Sequence, residues 1–186
     1  LDRPSGERIR EELFRLLALD SGWPALGEMA DPVLTALFPS LAAILDTPQN
    51  GYHHLGVFPH TLEVVKHTFH LDGLTAMLGC PDIALSDEDR VVLRLAALFH
   101  DVGKGETLAR NETGMYTFKR HQYVSAERFR QDIEGLRPSN RLVERVYMLI
   151  RRHMLFLNFM LNGYSVRSFR RLINMMRDDT TLLVLL

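Results

Sequence analysis

Five residues in this chain carry side chains suited to holding a divalent metal: His60, the adjacent pair His100-Asp101, His121 and His153. An adjacent His and Asp is common by chance, but this pair closes an apolar stretch through Val92, Leu95, Ala96 and Phe99. A charged pair buried at such a place needs a compensating partner, and a divalent ion supplies one. Imidazole and carboxylate together suit Mn, Fe, Zn, Ni or Co better than Ca. An octahedral site with three or four protein ligands leaves positions open for water and for a substrate oxygen. An ion there acidifies the water and polarises a phosphoryl oxygen, which is what phosphoester hydrolysis requires. With His121 and His153 included, two ions become feasible, and Asp101, having two oxygens, is the natural bridge.

The residues around this set narrow it. Val102-Gly103-Lys104-Gly105 follows the His-Asp pair at once, a tight turn that brings backbone and an ammonium close to a phosphate. It is not a Walker A loop, which would need Gly at 98 and Ser or Thr at 105, where the chain has Leu98 and Gly105. His67 and His70 share a predicted helix with His60, about 10 and 15 Å along its axis, too far to share an ion with it. They read as ordinary surface or core histidines. His53 and His54 precede that helix in a turn, where they either line the mouth of the site or cap a helix end; the reading leans to the former.

The elements that must position these groups are helical. Pro4 to Leu19 reads as an amphipathic helix with Ser5 as its cap and Ile9, Leu13, Leu16 and Leu17 on one stripe. Shorter helices are predicted over Leu26–Leu37 and Pro39–Leu45. Pro59 starts a helix running to about Leu78, stopped by Gly79 and Pro81. Ser86 caps the next, with Asp89 at its third position, and this helix is apolar on most faces and therefore central. Asp101 to Thr117 reads as loop. Helices follow over Ser125–Glu134, Ser139–Leu155 and Ser165 to the end. Strict alternation of apolar and polar residues is nearly absent, so no sheet is predicted.

Composition sets the outer bounds. The 186 residues are enough for one sizeable core plus a small appended unit. No apolar run approaches the roughly 20 residues needed to span a bilayer. One cysteine, Cys80, excludes a disulfide framework and a thiolate-rich zinc site, and leaves the cytoplasm as the default compartment. The net charge of −1 hides an asymmetry: Leu1–Gly103 holds 7 basic and 15 acidic residues, Lys104–Arg177 15 basic and 6 acidic. A basic half of this size attracts phosphate or nucleic acid, or is simply a set of solvated helix faces. The turn Thr47-Pro48-Gln49-Asn50-Gly51 suggests a division into a helical neck, 1–48, and a main domain, 49–186. The first residue is not Met and the last five are Leu182-Leu183-Val184-Leu185-Leu186, so a fragment of a longer protein is expected.

The run Leu98-Phe99-His100-Asp101-Val102-Gly103-Lys104-Gly105-Glu106-Thr107 resembles the core motif of the HD-domain phosphohydrolases. Pro48-Gln49-Asn50-Gly51-Tyr52-His53-His54-Leu55 followed by Pro59-His60-Thr61-Leu62 is similar to the C-terminal half of bacterial tRNA nucleotidyltransferases (CCA-adding enzymes) and poly(A) polymerases that carry an HD domain. Glu7-Arg8-Ile9-Arg10-Glu11-Glu12-Leu13 looks like the start of their neck. The resemblance implies an all-α fold, an HD-domain helical bundle with a small N-terminal helical neck. It implies His60, His100, Asp101, His121 and His153 as ligands for one or two divalent ions (Mn, Mg, Ni, Fe, Co or Zn). Asp101 and Lys104 become the catalytic residues, and His54, Lys104, Arg120 and Arg152 the substrate contacts.

The function implied is that of a metal-dependent phosphodiesterase or phosphatase acting on nucleotides or RNA ends, with a nucleotide or tRNA-like RNA as partner. Two alternatives stand beside it: a tRNA-binding scaffold without catalysis of its own, serving a separate nucleotidyltransferase head, and a regulatory nucleotide hydrolase. The Gly-Ser motif and paired Asp of such a head are absent from this sequence, so an N-terminal nucleotidyltransferase domain is expected in the longer protein. No membrane partner is expected, and homo-oligomerisation is left open. HD sites are completed by a distal Asp; Asp178 and Asp179 are the candidates here. They stand at a predicted helix start, and a ligand beyond Leu186 is the expectation, which would leave this fragment incomplete.

Overall fold

The computed structural model describes residues 4–50, 55–71, 83–163 and 165–186. Its first helix, α1 (Gly6–Ala18), is capped by Ser5, whose hydroxyl accepts from the Arg8 amide, and buries Leu13 and Leu17. A 3₁₀ turn, Asp20–Gly22, leads to α2 (Trp23–Met29). A single π-helical stretch, Ala30–Leu34, and α3 (Thr35–Leu37) follow. Pro39 then starts the short α4 (Pro39–Ala42).

The next helix, α5 (Val57–His67), begins two residues earlier than Pro59 and stops well short of Leu78. The early stop has a physical cause. Thr68 turns its hydroxyl onto the Val65 carbonyl at 2.6 Å, and the Thr68 carbonyl accepts from the Arg94 guanidinium at 3.2 and 3.4 Å. The chain end of the helix is thus satisfied by a side chain from elsewhere. Gly79 and Pro81, assigned as the stop, lie outside the described residues.

The central helix is α6 (Asp87–Phe99), with a reciprocal Ser86–Asp89 capping box and three acidic residues in its first turn facing the positive end of the helix dipole. Every residue from Val91 to Phe99 is buried. It packs against α1, α5 and the long helix described below. Arg94, fully buried within it, donates to the carbonyls of Leu17 (2.7 Å), Leu19 (3.1 Å) and Thr68 and to Asp20 (3.0 Å), closing the C-terminal ends of α1 and α5 at one point.

After Asp101 the segment read as loop is ordered: α7 (Lys104–Thr107) is followed by a two-stranded antiparallel hairpin, β1 (Leu108–Arg110) and β2 (Tyr116–Phe118). Strands of three residues are too short to display alternation, which is why no sheet was predicted. Helix α8 (His121–Ile133) starts four residues before Ser125, directly after Arg120 in the left-handed region (φ 65°). The long α9 (Asn140–Asn162), capped by Ser139, outruns the predicted end at Leu155. The last stretch is broken: α10 (Val166–Met176) ends at Arg177 (φ 49°), a 3₁₀ turn covers Arg177–Asp179, and α11 (Thr180–Leu185) follows.

The architecture is therefore an all-α bundle with a small hairpin at one end. One core runs through it. Phe38, Phe99 and Phe129 stack edge to face at 5.1 and 5.2 Å, joining the N-terminal helices to α6 and α8. The N-terminal segment is also tied by polar contacts: Ser40 donates to Asp132 through its amide (2.9 Å) and hydroxyl (2.6 Å), and Glu7 pairs with Arg137 at 2.7 Å. Residues Leu13 to Ile44 thus share the core of the remainder.

Candidate metal centre

The five sequence-predicted ligands meet at the hairpin end of the bundle. His100 caps the C-terminus of α6 and Asp101 follows in the turn; both are buried. His60 comes from the first turns of α5, His121 is the first residue of α8, and His153 lies on α9. The turn after Asp101 is held by the Lys104 amide donating to the Asp101 carbonyl at 2.9 Å and by the Gly103 amide donating to the Ser125 hydroxyl at 2.9 Å. A Cβ at Gly103 would stand 2.5 Å from the His121 carbonyl oxygen and 2.6 Å from the Ser125 nitrogen. Glycine at this position is what lets the His-Asp turn lie against the start of α8.

Asp101 divides the histidines between its two oxygens. Oδ2 faces His100 Nε2 at 3.1 Å and His60 Nε2 at 3.7 Å; Oδ1 faces His121 Nε2 at 3.1 Å and His153 Nε2 at 3.9 Å. Two groups result in which ligand atoms converge closely enough for one ion each: His60, His100 and Asp101, and Asp101, His121 and His153. The carboxylate is common to both.

Three of the imidazoles have a fixed tautomer. His100 Nδ1 donates to the Ala97 carbonyl (2.8 Å), His121 Nδ1 to that of Phe118 (2.8 Å), and His153 Nδ1 to that of Ile150 (2.7 Å). Carbonyls only accept, so each Nδ1 carries the hydrogen and each Nε2 presents a lone pair inward in the neutral ring. His121 and His153 meet Nε2 to Nε2 at 3.2 Å. The interior therefore collects lone pairs and a carboxylate, an arrangement that a cation satisfies. Burial, with the charges of His100 and His121, pushes the His153 imidazole down to about 3, against the opposing pull of Asp101. Burial by itself raises the Asp101 carboxyl, but His100, His121 and Lys104 hold it well below the usual carboxylate range. A neutral imidazole and an ionised carboxylate are the protonation states that metal ligation demands. The donor set, imidazoles with one carboxylate, fits Mn, Fe, Co, Ni or Zn better than Ca.

Lys104, read from the sequence as a phosphate contact, is buried, with its ammonium 2.8 Å from Asp101 Oδ2 and 3.0 Å from Gln49 Oε1. It neutralises the shared carboxylate at Oδ2, the oxygen that also faces His60 and His100. Gln49, which the sequence places in a turn and in the run that carries the family resemblance but not among the site residues, is thereby a member of the site; its amide alone carries no such message. Arg120 is exposed beside His121, with its guanidinium 5.3 Å from the Tyr123 ring centre. Arg152 adjoins His153, and its Nε is buried without a hydrogen-bond partner among the described residues. His53 and His54 lie outside the described residues. His67 and His70 are exposed and belong to neither group.

Asp178 and Asp179 are placed elsewhere. Asp179 accepts from Arg145 at 2.7 and 2.9 Å, and Arg145 also binds Asp89 and Glu88 in the first turn of α6. His100 is at the opposite end of that helix, roughly 16 Å along its axis. These two aspartates line a polar cavity there with Asp89, Glu144 and Arg145, and they do not complete the metal centre.

The HD domain family profile matches residues 57–178, which contain all five converging residues. The chain is 39% identical over 153 residues to the CC-adding tRNA nucleotidyltransferase of Thermus thermophilus. It is 35% identical over 153 residues to the A-adding tRNA nucleotidyltransferase of Deinococcus radiodurans. Each match takes in 81% of this chain and 32% of the relative, so the chain spans about a third of the length of these curated relatives.

Proposed function

This chain belongs to the HD domain family, and from that premise we propose that its His/Asp cluster holds one or two divalent ions and hydrolyses phosphoesters of nucleotides or RNA ends. The observation that carries the reading is the division of Asp101, one oxygen toward each histidine pair, with the inward Nε2 atoms freed by Nδ1 bonds to local carbonyls. When bound, an ion supplies Lewis acidity toward a phosphoryl oxygen and acidifies water. Its holders are His60, His100 and Asp101 for one position, and Asp101, His121 and His153 for a second. Lys104 keeps Asp101 ionised and directed inward, and Gln49 fixes the ammonium. Arg120 and Arg152 supply positive charge toward a substrate phosphate, and His54, outside the described residues, is retained as a substrate contact.

RNA as the substrate class is supported by the relatives, whose names give them tRNA as substrate, and by the basic second half of the chain. The same relatives favour a second reading, a tRNA-holding portion of a larger nucleotidyltransferase with no hydrolysis of its own. Among the described residues no helix is long and apolar enough to cross a membrane. Elemental analysis of the purified chain, with turnover of bis(p-nitrophenyl) phosphate and 2′,3′-cyclic AMP, separates the two. Bound metal and turnover that both vanish in Asp101→Ala support the hydrolase; metal without turnover, or neither, leaves the scaffold.

A further inference from the structure

Helices α8 and α9 run antiparallel, and their partners step along both in register. His121 meets His153 at 3.2 Å, Tyr123 takes the Arg151 guanidinium 5.0 Å from its ring centre, Glu127 accepts from the Tyr147 hydroxyl at 2.7 Å, and Arg130 pairs with Glu144 at 2.6 Å. The Tyr123–Arg151 rung is two residues from the histidine rung, about 3 Å along each axis. Arg120 brings a second guanidinium to the same tyrosine ring, 5.3 Å from its centre.

The arginines on and next to these two helices fall into two groups. Arg128, Arg130, Arg141 and Arg145 each have a carboxylate within ion-pair distance. Among the described residues Arg120, Arg151 and Arg152 have none, and these three are the ones flanking His121 and His153. Arg151 is nonetheless fixed: one nitrogen donates to the Tyr147 hydroxyl at 2.8 Å, and among the described residues its remaining donors have no hydrogen-bond partner. Guanidiniums held within cation–π distance of an aromatic ring, without a protein anion, can present their fork of N–H donors to a phosphate. Several positive charges left unneutralised beside the His/Asp cluster also favour a polyanion over a single phosphate.

We propose that Arg120, Tyr123 and Arg151 form a track for the phosphodiester backbone of a single-stranded RNA whose terminal phosphoester reaches the His/Asp cluster. Tyr123 fixes the two guanidiniums, and these take the phosphates next to the one at the metal centre. The inference rests on the hydrolase reading for which phosphate is cleaved, but not for where the strand lies. A track of this kind makes the protein prefer an oligonucleotide to a mononucleotide.

The test is fluorescence anisotropy of a labelled single-stranded RNA oligonucleotide and a labelled mononucleotide on the full chain, in EDTA, across a salt series. Arg120→Ala/Arg151→Ala is expected to weaken oligonucleotide binding about tenfold or more and to lower the salt slope by about one to one and a half units, since each single-strand phosphate contact accounts for about 0.7. Mononucleotide binding changes much less. Arg120→Lys/Arg151→Lys retains the charge and recovers most of the salt slope. Arg130→Ala, which removes a guanidinium already paired to Glu144, stays within about twofold of wild type, and thermal unfolding by circular dichroism verifies that each variant is folded. Equal affinity and slope in the double alanine variant, or no preference of the wild type for the oligonucleotide, overturns the track. RNA binding that depends on both arginines in a protein without phosphoesterase turnover overturns only the hydrolase reading and leaves the track standing.

Discussion

The Nε2 atoms of His121 and His153 face each other at 3.2 Å, while the Nδ1 hydrogen of each is already given to a carbonyl of its own segment. In the neutral rings this sets two lone pairs nose to nose beside Asp101 Oδ1. A shared cation converts that repulsion into coordination. His153→Ala is therefore expected to lower divalent-ion affinity at least about tenfold, since even changes behind a ligand cost 10–100-fold. Calorimetric titration of EDTA-treated protein with Mn²⁺ or Zn²⁺ measures it; unchanged affinity and stoichiometry would remove the second ion position from the proposal.

Gly103→Ala places a methyl group against the backbone of His121 and Ser125, atoms that cannot rotate away. A loss of stability of about 1–3 kcal/mol is expected from the overpacking. Because the clash pushes on the residue that starts α8, metal affinity should fall as well. Urea unfolding monitored by circular dichroism gives the first quantity and metal titration the second. Ser125→Ala, which removes only the hydrogen bond to the Gly103 amide, should cost about 1 kcal/mol.

Arg94→Leu leaves the carbonyls of Leu17, Leu19 and Thr68 without their donor in the interior. The expected destabilisation is about 3–5 kcal/mol, the range for breaking a buried charged network from one side. Arg94→Lys keeps the charge but can reach fewer of the carbonyls at once, and should fall between the two. Denaturant midpoints of the three proteins provide the comparison; a leucine variant as stable as wild type would show that Arg94 contributes nothing net.

The low value at His153 has a definite consequence for acid stability. The unfolded imidazole takes up its proton near 6.5, the folded one only at about 3, because of burial. Between these values the unfolded chain binds the extra proton, so folding stability falls as pH drops from 6.5 toward 3. Asp101, whose value is depressed despite burial, adds its own loss only below the ordinary carboxylate value of 3.8. In EDTA the wild type should lose stability across that window with a slope approaching one proton, and His153→Gln should flatten the slope between pH 6 and pH 4 (values bracketed by the two pKa positions). Chemical unfolding at several pH values settles the sign.

The parts of this centre that the sequence displayed are the ones whose chemistry is rare. His60, His100, Asp101, His121 and His153 stand out because imidazoles and a carboxylate next to apolar helices are costly without a common purpose, and all five converge. Helix spacing likewise separated His67 and His70 from them. What stayed hidden depends on tertiary contact. Arg94 in an apolar helix looks like a solvated interruption until three carbonyls from other segments close on it. Lys104 carries the same letter whether it meets a phosphate or Asp101, and Gln49 is anonymous in a turn. Asp178 and Asp179 resembled a last ligand because of their position in the chain, but Arg145 draws Asp179 to the far end of α6. The hairpin over 108–118 was missed because three-residue strands leave no periodic signal.

Each inward-facing histidine with a fixed tautomer obtains it from the carbonyl three residues earlier in the chain: Ala97 for His100, Phe118 for His121, Ile150 for His153. Among the described residues no distant carboxylate bonds these Nδ1 atoms. Each of these three ligands thus carries its own orienting acceptor within a span of four residues, so its ring orientation is set by local backbone and not by a partner from another element.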